Sequence, residues 1–534
     1  MSVEEIKDAT AQAVAGAKSV MHDMPPGGIN TDVTSAAKSA PGSDGQRRGL
    51  VRRVVGGTFN YGLGQSIPKF IQLLLLPVYT RILSPMEYGG ISLSIQFGGF
   101  IMALMRQGVP GAVARYYYDH DEGPSLRDYV TTVAWYLLGS SLLVALVATM
   151  VSPWLLGYLV PGLPLPLAFL AILSGIAYCN GELQSRLVQA REQSSYQARL
   201  NVGRASISIV LAILLVVVLR WGALGVLSAE VVSYGVLGLV AIWYLRAELR
   251  GHFRRSMLKS SLSYGWGMMP GDFVGNLTPF VTGAVLSGVQ TTAANGLFYL
   301  ALRVTQPLTM LGLAFQTAYN PVYFSVRKEG TVAGLDRLAV TARNVWAAAV
   351  AFAIAAALMG PPLVVLVTPG DYHAAAPLVP IFAVGFLGMT AYNLLGPEIF
   401  FSKRTWLMPV IVYGSAAIEI AIAVLTVKTY GAAGVAWGSA ARMLMSALVA
   451  GVISCRLVEI PYSWFSMIRI AVCGAAAYLP TLIIGVTSPF LQLAIGMGGV
   501  AVYMALLWLT GDPSVREVLV FVRRQIDKRV SMAA

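Results

Sequence analysis

The chain has 534 residues, of which 56% are hydrophobic and only 12% charged, against roughly a quarter charged in ordinary soluble domains. Its apolar runs are long and nearly free of charge, as in 137–158, 207–219 and 348–367, which excludes a disordered chain, a fibre, a secreted disulfide scaffold and a cytosolic enzyme. The net charge of +13 is read as the surplus of cytoplasmic Lys and Arg that orients a polytopic membrane protein, and no nucleic-acid partner is inferred from it.

In chain order, residues 1–50 are rich in Ala, Gly, Ser and Asp and read as a disordered cytoplasmic tail, having too little apolar surface to order themselves. Arg47, Arg48, Arg52 and Arg53 then mark the start of the membrane part, where they face anionic headgroups. With about 20 apolar residues needed per span, about fourteen helical spans follow: 55–80, 88–114, 129–152, 164–187, 198–219, 222–245, 262–287, 294–320, 344–367, 377–401, 406–427, 431–453, 465–486 and 489–510. The runs do not alternate polar and apolar residues as barrel strands do, so the fold class is all-α. After Gly511, Asp512 and Pro513 open an amphipathic basic helix within 511–534. Val515, Val518, Leu519, Val522 and Ile526 form its apolar face, suited to lie on the inner leaflet.

Starting the chain in the cytoplasm leaves only Arg81, Arg220 and Lys428 in the outer loops. The reverse orientation puts nearly all the loop cations outside, so both termini are expected in the cytoplasm. The three cysteines and four histidines are scattered, which argues against a disulfide framework and against a metal site. No P-loop, HExxH or GxSxG motif is present, no cofactor is implied, and no outer loop is large enough for a polymerase or glycosyltransferase site.

The chain repeats itself. Tyr61-Gly-Leu-Gly64, Pro68, Lys69 and Phe70 return as Tyr264-Gly-Trp-Gly267, Pro270, Asp272 and Phe273, with the tyrosines at an offset of 203 (264 minus 61). Trp221-Gly-Ala-Leu-Gly-Val226 returns as Tyr430-Gly-Ala-Ala-Gly-Val435 at 209 (430 minus 221). The order predicts two six-span bundles, 51–250 and 251–456, two additional spans within 457–510, and a cleft between the bundles. Gly and Pro gather in the first span of each half, as expected of broken helices that line a cavity.

Ionisable residues inside a span are costly unless paired or wet. The deepest are Lys69, Arg106, Asp272 and Arg303, all on the two opening spans of each half. Three cations against one anion predict a positive, substrate-binding cleft for a phosphate-bearing molecule, with a bridge from Asp272 to Lys69 or Arg303 as the structural alternative. Glu419 and Arg442 are expected to pair within the membrane, and Glu230 and Glu398 are open as proton carriers.

Pro77-Val-Tyr-Thr-Arg81-Ile-Leu-Ser-Pro85-Met-Glu87-Tyr88-Gly89, Gly108-Val-Pro110 and Ala114-Arg115-Tyr116-Tyr117 resemble the opening of Wzx-type polysaccharide flippases. These belong to the multidrug/oligosaccharidyl-lipid/polysaccharide (MOP) exporter superfamily. Gly296-Leu-Phe-Tyr299-Leu-Ala-Leu-Arg303 and Ala318-Tyr-Asn-Pro321 resemble its seventh and eighth spans. The resemblance implies a MATE-like, V-shaped pair of bundles working by alternating access in a bacterial inner membrane. It also implies a polyprenyl-diphosphate-linked oligosaccharide as substrate, with the lipid bilayer and polysaccharide polymerase or export proteins as partners. A lipid II flippase of the same superfamily is the nearest alternative. A multidrug antiporter fits less well, since its usual cationic substrates would meet like charge, and a membrane-embedded polymerase or ligase lacks the outer loops.

The orientation predicts that a cysteine placed at Arg254 stays unlabelled by an impermeant thiol reagent in intact cells and reacts after permeabilisation. Labelling from outside would overturn the topology.

Overall fold

The computed structural model describes residues 73–119, 123–160, 163–483 and 488–513, all within one compact unit. The first seventy-two residues, with Lys69 and the repeat around Tyr61, lie outside this description, as does the amphipathic helix expected after Pro513. Among the described residues there is no β-strand. The chain forms helices α1 (Leu76–Ile82), α2 (Pro85–Arg106), α3 (Val109–Tyr116), α4 (Pro124–Leu159), α5 (Leu165–Ala190), and α6 (Ser194–Ala212), which runs on through a π-helical turn at Ile213–Val218. Helices α7 (Gly222–Leu245), α8 (Arg255–Val289), α9 (Thr292–Val304), α10 (Gln306–Glu329) and α11 (Val332–Val367) follow. The last are α12 (Val379–Leu395), α13 (Pro397–Phe401), α14 (Leu407–Leu457), α15 (Trp464–Ile483) and α16 (Pro489–Leu509).

Local chemistry sets the helix ends. Ser84 caps α2 by accepting from the Glu87 amide while the Glu87 carboxylate takes the Ser84 amide at 2.9 Å, and Pro85 fills the first position, where no amide hydrogen is needed. Thr291 and Thr331 cap α9 and α11 by accepting the amides of Ala294 and Gly334, without the reciprocal carboxylate. Nine described helices are long and apolar enough to cross a bilayer, and α9 with α10 makes a tenth as a pair bent by 45°. Gly431, at φ 55° and ψ −132°, divides the 51-residue α14, so this helix holds two of the expected spans. The outward surface is apolar, with Leu425 78% and Trp154 75% exposed, as befits a multi-pass membrane protein whose solvent there is lipid.

Helices α8 and α15, where spans 262–287 and 465–486 are expected, are not among these nine, and two further expected spans differ in path. The segment 88–114 breaks after Arg106, because Gln107 and Gly108 take left-handed backbone angles and α3 starts afresh at Val109. The segment 294–320 bends after Val304, where Pro307 opens α10 and cannot donate to the preceding turn.

Helix α2 is the centre of the packing. Leu93, Phe97, Ile101 and Met105 join Leu167, Ile172 and Cys179 of α5, together with Phe280 and Ala284 of α8, in one core. A second core joins Leu76 of α1 to Leu286 of α8, Phe298 and Leu300 of α9, Phe382 of α12 and Val435 of α14. Between them α2 and α9 cross backbone to backbone: a β-carbon on Gly89 would lie 1.8 Å from the Thr292 carbonyl oxygen. The Asn295 amide donates across this crossing to Ser92 at 3.0 Å and to the Gly89 carbonyl at 3.3 Å. Helices α15 and α16 pack on α11, with the Tyr503 hydroxyl donating to the Ala347 carbonyl at 2.9 Å.

The segment between α7 and α8 is strapped to the start of α4. The Thr131 hydroxyl donates to the Glu248 carbonyl at 2.9 Å and accepts the Gly251 amide at 3.1 Å. Asp128 accepts the His252 amide at 2.7 Å and the Arg254 guanidinium.

Overpacking a closed core contact costs about 1–3 kcal/mol or more, and the α2–α9 crossing leaves no space at all. Gly89→Val is therefore expected to lower the thermal midpoint of the purified protein by several degrees. Gly139→Ala, which meets nothing within 4 Å, is expected to leave it unchanged. Equal midpoints for both variants would contradict the tight crossing.

Candidate functional site

Two groups of ionisable residues occupy the membrane part around α2. The first begins at the end of that helix. Gly108 adopts φ 73°, and a β-carbon there would sit 2.2 Å from the Gly265 carbonyl oxygen. This close approach of α2 to α8 brings Arg106 opposite Asp272, two helical turns beyond Gly265. The Arg106 guanidinium donates from one nitrogen to both Asp272 oxygens, at 2.7 and 3.0 Å, and from another to Glu182 of α5 at 3.2 Å. Glu182 in turn accepts from Arg186, one turn along α5, at 2.8 Å. Asn276 steadies Asp272 with an amide bond of 3.2 Å.

Asp272 is thus bonded to Arg106 on α2 and not to Arg303, one of the two partners the sequence suggested; Lys69, the other, lies outside the described residues. Among the described residues two arginines and two carboxylates balance. Arg106 and Glu182 are mostly buried, whereas the Asp272 side chain is 38% exposed.

The second group surrounds a cavity of about 70 Å³ between α1, α2, α6, α7 and α9. Arg303 lies near the end of α9 with its guanidinium over the Tyr299 ring, 5.6 Å from the centroid. Arg204 of α6 and Glu230 of α7 complete the charged lining, with Tyr79, Tyr88, Ser92 and Ser208 as further polar groups. Among the described residues two arginines face one carboxylate, a positive sum, and Tyr79, Tyr88 and Ser208 add hydroxyls that suit an oxyanion, while Ser92 donates to the Gly89 carbonyl at 2.9 Å. Arg106 is not among the residues that line it.

A third element adjoins. Tyr299 also lines a cavity of about 160 Å³ that includes Phe298, Phe386, Thr305, Thr309, Glu419 and Arg442. Glu419 and Arg442 approach to 2.6 Å, as expected of a pair within the membrane, and Ser439 donates to Glu419 at 2.7 Å. Glu398 is fully buried and held by Tyr323, Arg327 and Ser402 at 2.6 to 3.0 Å, which ties α13 to α10. Among the described residues no cluster of His, Cys, Asp or Glu suits a metal ion.

Of the four residues singled out in the sequence, the structure joins Arg106 with Asp272, places Arg303 in the positive chamber, and leaves Lys69 outside the described residues. Arg204 and Glu182 were passed over. Both are ionisable residues inside expected spans, so the rule that selected Arg106 applies equally to them.

Breaking a buried ion pair by removing one partner costs about 3–5 kcal/mol, whereas removing all charges together is often neutral. Arg106→Ala should accordingly lower thermal stability sharply, and the quadruple change Arg106→Met, Glu182→Gln, Arg186→Gln, Asp272→Asn should recover most of the loss. A quadruple variant as unstable as the single one would argue against a self-neutralised network.

Comparison with known proteins places this geometry. Among curated proteins no sequence matches the chain. In fold it is similar to the lipid II flippase MurJ in an inward closed conformation, with a TM-score of 0.70 and 11% identity over 84% of this chain and 99% of that one. It is similar to an inward-facing multidrug resistance MATE transporter, with a TM-score of 0.59 and 17% identity over 74% and 97% of the two chains. A MOP superfamily transporter from Pyrococcus furiosus follows with a TM-score of 0.53 and 16% identity, over 76% and 95%. The helical fold is thus the one these MurJ and MATE structures share. Residues 54–326, half of the chain, match a family described as polysaccharide biosynthesis protein, and the protein belongs to that family.

Proposed function

We propose that the protein is a flippase that moves a polyprenyl-diphosphate-linked oligosaccharide from the inner to the outer leaflet of a bacterial cytoplasmic membrane by alternating access. The supporting observation is the pair of chambers that meet at Tyr299. One carries Arg204 and Arg303 and suits a diphosphate; the other offers aromatic rings and hydroxyls beside Glu419 and Arg442, a lining suited to sugar rings. Such a head group needs a polar passage through the protein, while its prenyl tail stays in lipid. Membership of a polysaccharide biosynthesis family favours this substrate over lipid II, which is the cargo named for MurJ. A cationic drug would be repelled by the two arginines.

In this reading both termini face the cytoplasm, 51–250 and 251–456 are the two moving halves, and Arg303 with Arg204 carries the anion. Lys69 keeps its assignment on sequence grounds. The Arg106–Asp272–Glu182 network is then a tie between α2 and α8 that the transport cycle makes and breaks.

A charge-assisted bond contributes roughly 1.5–3 kcal/mol, so Arg303→Ala should weaken substrate binding about ten- to a hundredfold. Export should fall accordingly in an expression-matched complementation assay. Arg303→Lys should restore only part of it, since Lys lacks the planar two-pronged donor. Full export by both Arg204→Ala and Arg303→Ala would remove the positive chamber from the mechanism.

A further inference from the structure

A cavity of about 430 Å³ lies between α4, α5 and α7, lined by Trp135, Leu138, Gly235, Leu239, Ile242 and Leu249 among others. It is apolar and open at the side, with Leu239 68% and Trp135 61% exposed. The one amide in it, on Asn180, already donates to the Ile176 carbonyl of its own helix at 2.8 Å, so the lining asks for hydrocarbon. The cavity faces away from the ion network. Asn180 and Ala177 line it from one side of α5, while Glu182 points to Arg106 from another, because residues two apart on a helix face nearly opposite ways.

The end of this groove is basic. Leu245 and Leu249 close it, and the next residues in the chain are Arg246 and Arg250, both exposed. Arg246 rests on the Trp243 ring, 5.1 Å from the centroid. Arg250 precedes Gly251, which is packed directly on the backbone of the exposed Arg127. The neighbouring carboxylates are occupied elsewhere: Glu248 bonds Arg191 at 2.7 Å, and Asp128 bonds Arg254. Three exposed arginines thus adjoin the residues that close the hydrocarbon groove, two next to Leu245 and Leu249 in the chain and one packed through its backbone on Gly251.

We propose that this groove binds an anionic phospholipid of the adjoining leaflet, with one acyl chain along α7 and the phosphate held by Arg127, Arg246 and Arg250. The apolar channel requires a chain, and the arginine rim selects a negative headgroup over a zwitterionic one. A free phosphate would leave the channel unfilled, and a neutral lipid would leave the rim unmatched. The site stands apart from the two chambers, so it does not depend on the transport reading.

The test uses the full-length protein in nanodiscs of phosphatidylcholine doped with phosphatidylglycerol that carries a photoactivatable group in the middle of an acyl chain. The label is mapped by peptide mass spectrometry. Label is expected on the peptides that contain Trp135 and 235–249, competed by unlabelled phosphatidylglycerol and not by phosphatidylcholine. Gly235→Leu should abolish that label while the protein melts normally, because a β-carbon there meets nothing within 4 Å and the added side chain fills only the groove. Arg127→Ala with Arg250→Ala should erase the preference for the anionic lipid while leaving chain labelling in place. The proposal is overturned if label spreads evenly over the lipid-facing helices, if it survives Gly235→Leu, or if both lipids compete equally. Competition by a polyprenyl phosphate but not by phosphatidylglycerol also overturns it, by assigning the groove to a prenyl chain.

Discussion

A charge that leaves water for the interior of a membrane protein must be matched within the protein, and the arrangement around α2 follows from that demand. The terminal nitrogens of Arg106 are satisfied by Asp272 and Glu182, and each comes from a different helix. Meeting the demand therefore fixes how α5 and α8 approach the end of α2. The left-handed turn at Gln107 and Gly108 makes the approach close enough, and the aromatic stack of Phe100 with Phe273 and Phe280 continues the same contact deeper in the membrane. Replacing such a group by apolar residues often costs little in stability, so its value lies in defining which helices meet and where.

The contrast between the two charged groups carries the functional argument. Around Arg106 the charges of the described residues sum to zero. Around Arg303 the described lining sets the carboxylate of Glu230 against two guanidiniums, a positive sum. Tyr299 belongs to both the positive chamber and the neutral aromatic one beyond it. A ligand with an anionic part and an uncharged polar part therefore finds both environments on the two sides of one ring.

The spans were legible in the sequence because hydropathy is additive along the chain, and a run of some twenty apolar residues has few other uses. The breaks inside them were less so. Pro307 gave a signal for the bend after Val304, but the stop at Gln107 depends on a left-handed residue that any polar side chain near a helix end can supply. Resemblance at the level of short motifs carried the fold class further than composition did, since Pro77 to Gly89 and Gly296 to Arg303 fall on α1, α2 and α9 around the positive chamber. The partner of Asp272 was not legible. Position on a span says that a charge needs matching, whereas the choice among Arg106, Lys69 and Arg303 is made by the crossing of helices far apart in sequence. The same gap hid Glu182 and Arg204, whose importance lies in what faces them.

The α2–α9 crossing bears on how the repeat is built. A β-carbon on Gly89 would strike the Thr292 carbonyl oxygen at 1.8 Å, and one on Gly296 the Pro85 carbonyl oxygen at 2.1 Å. The contact is therefore reciprocal, with 89 set against 296 and 85 against 292 at one offset of 207 (296 minus 89), and the caps Ser84 and Thr291 keep that offset. Such a contact belongs near a rotation axis, where a symmetric dimer sets each residue against its own copy. The polar bond beside it is not reciprocal: Asn295 donates to the hydroxyl of Ser92 and to the Gly89 carbonyl, whereas the residue that stands 207 before it is Tyr88. Joining both copies in one polypeptide permits that unequal division of roles, which a homodimer of half-length chains has no means to encode.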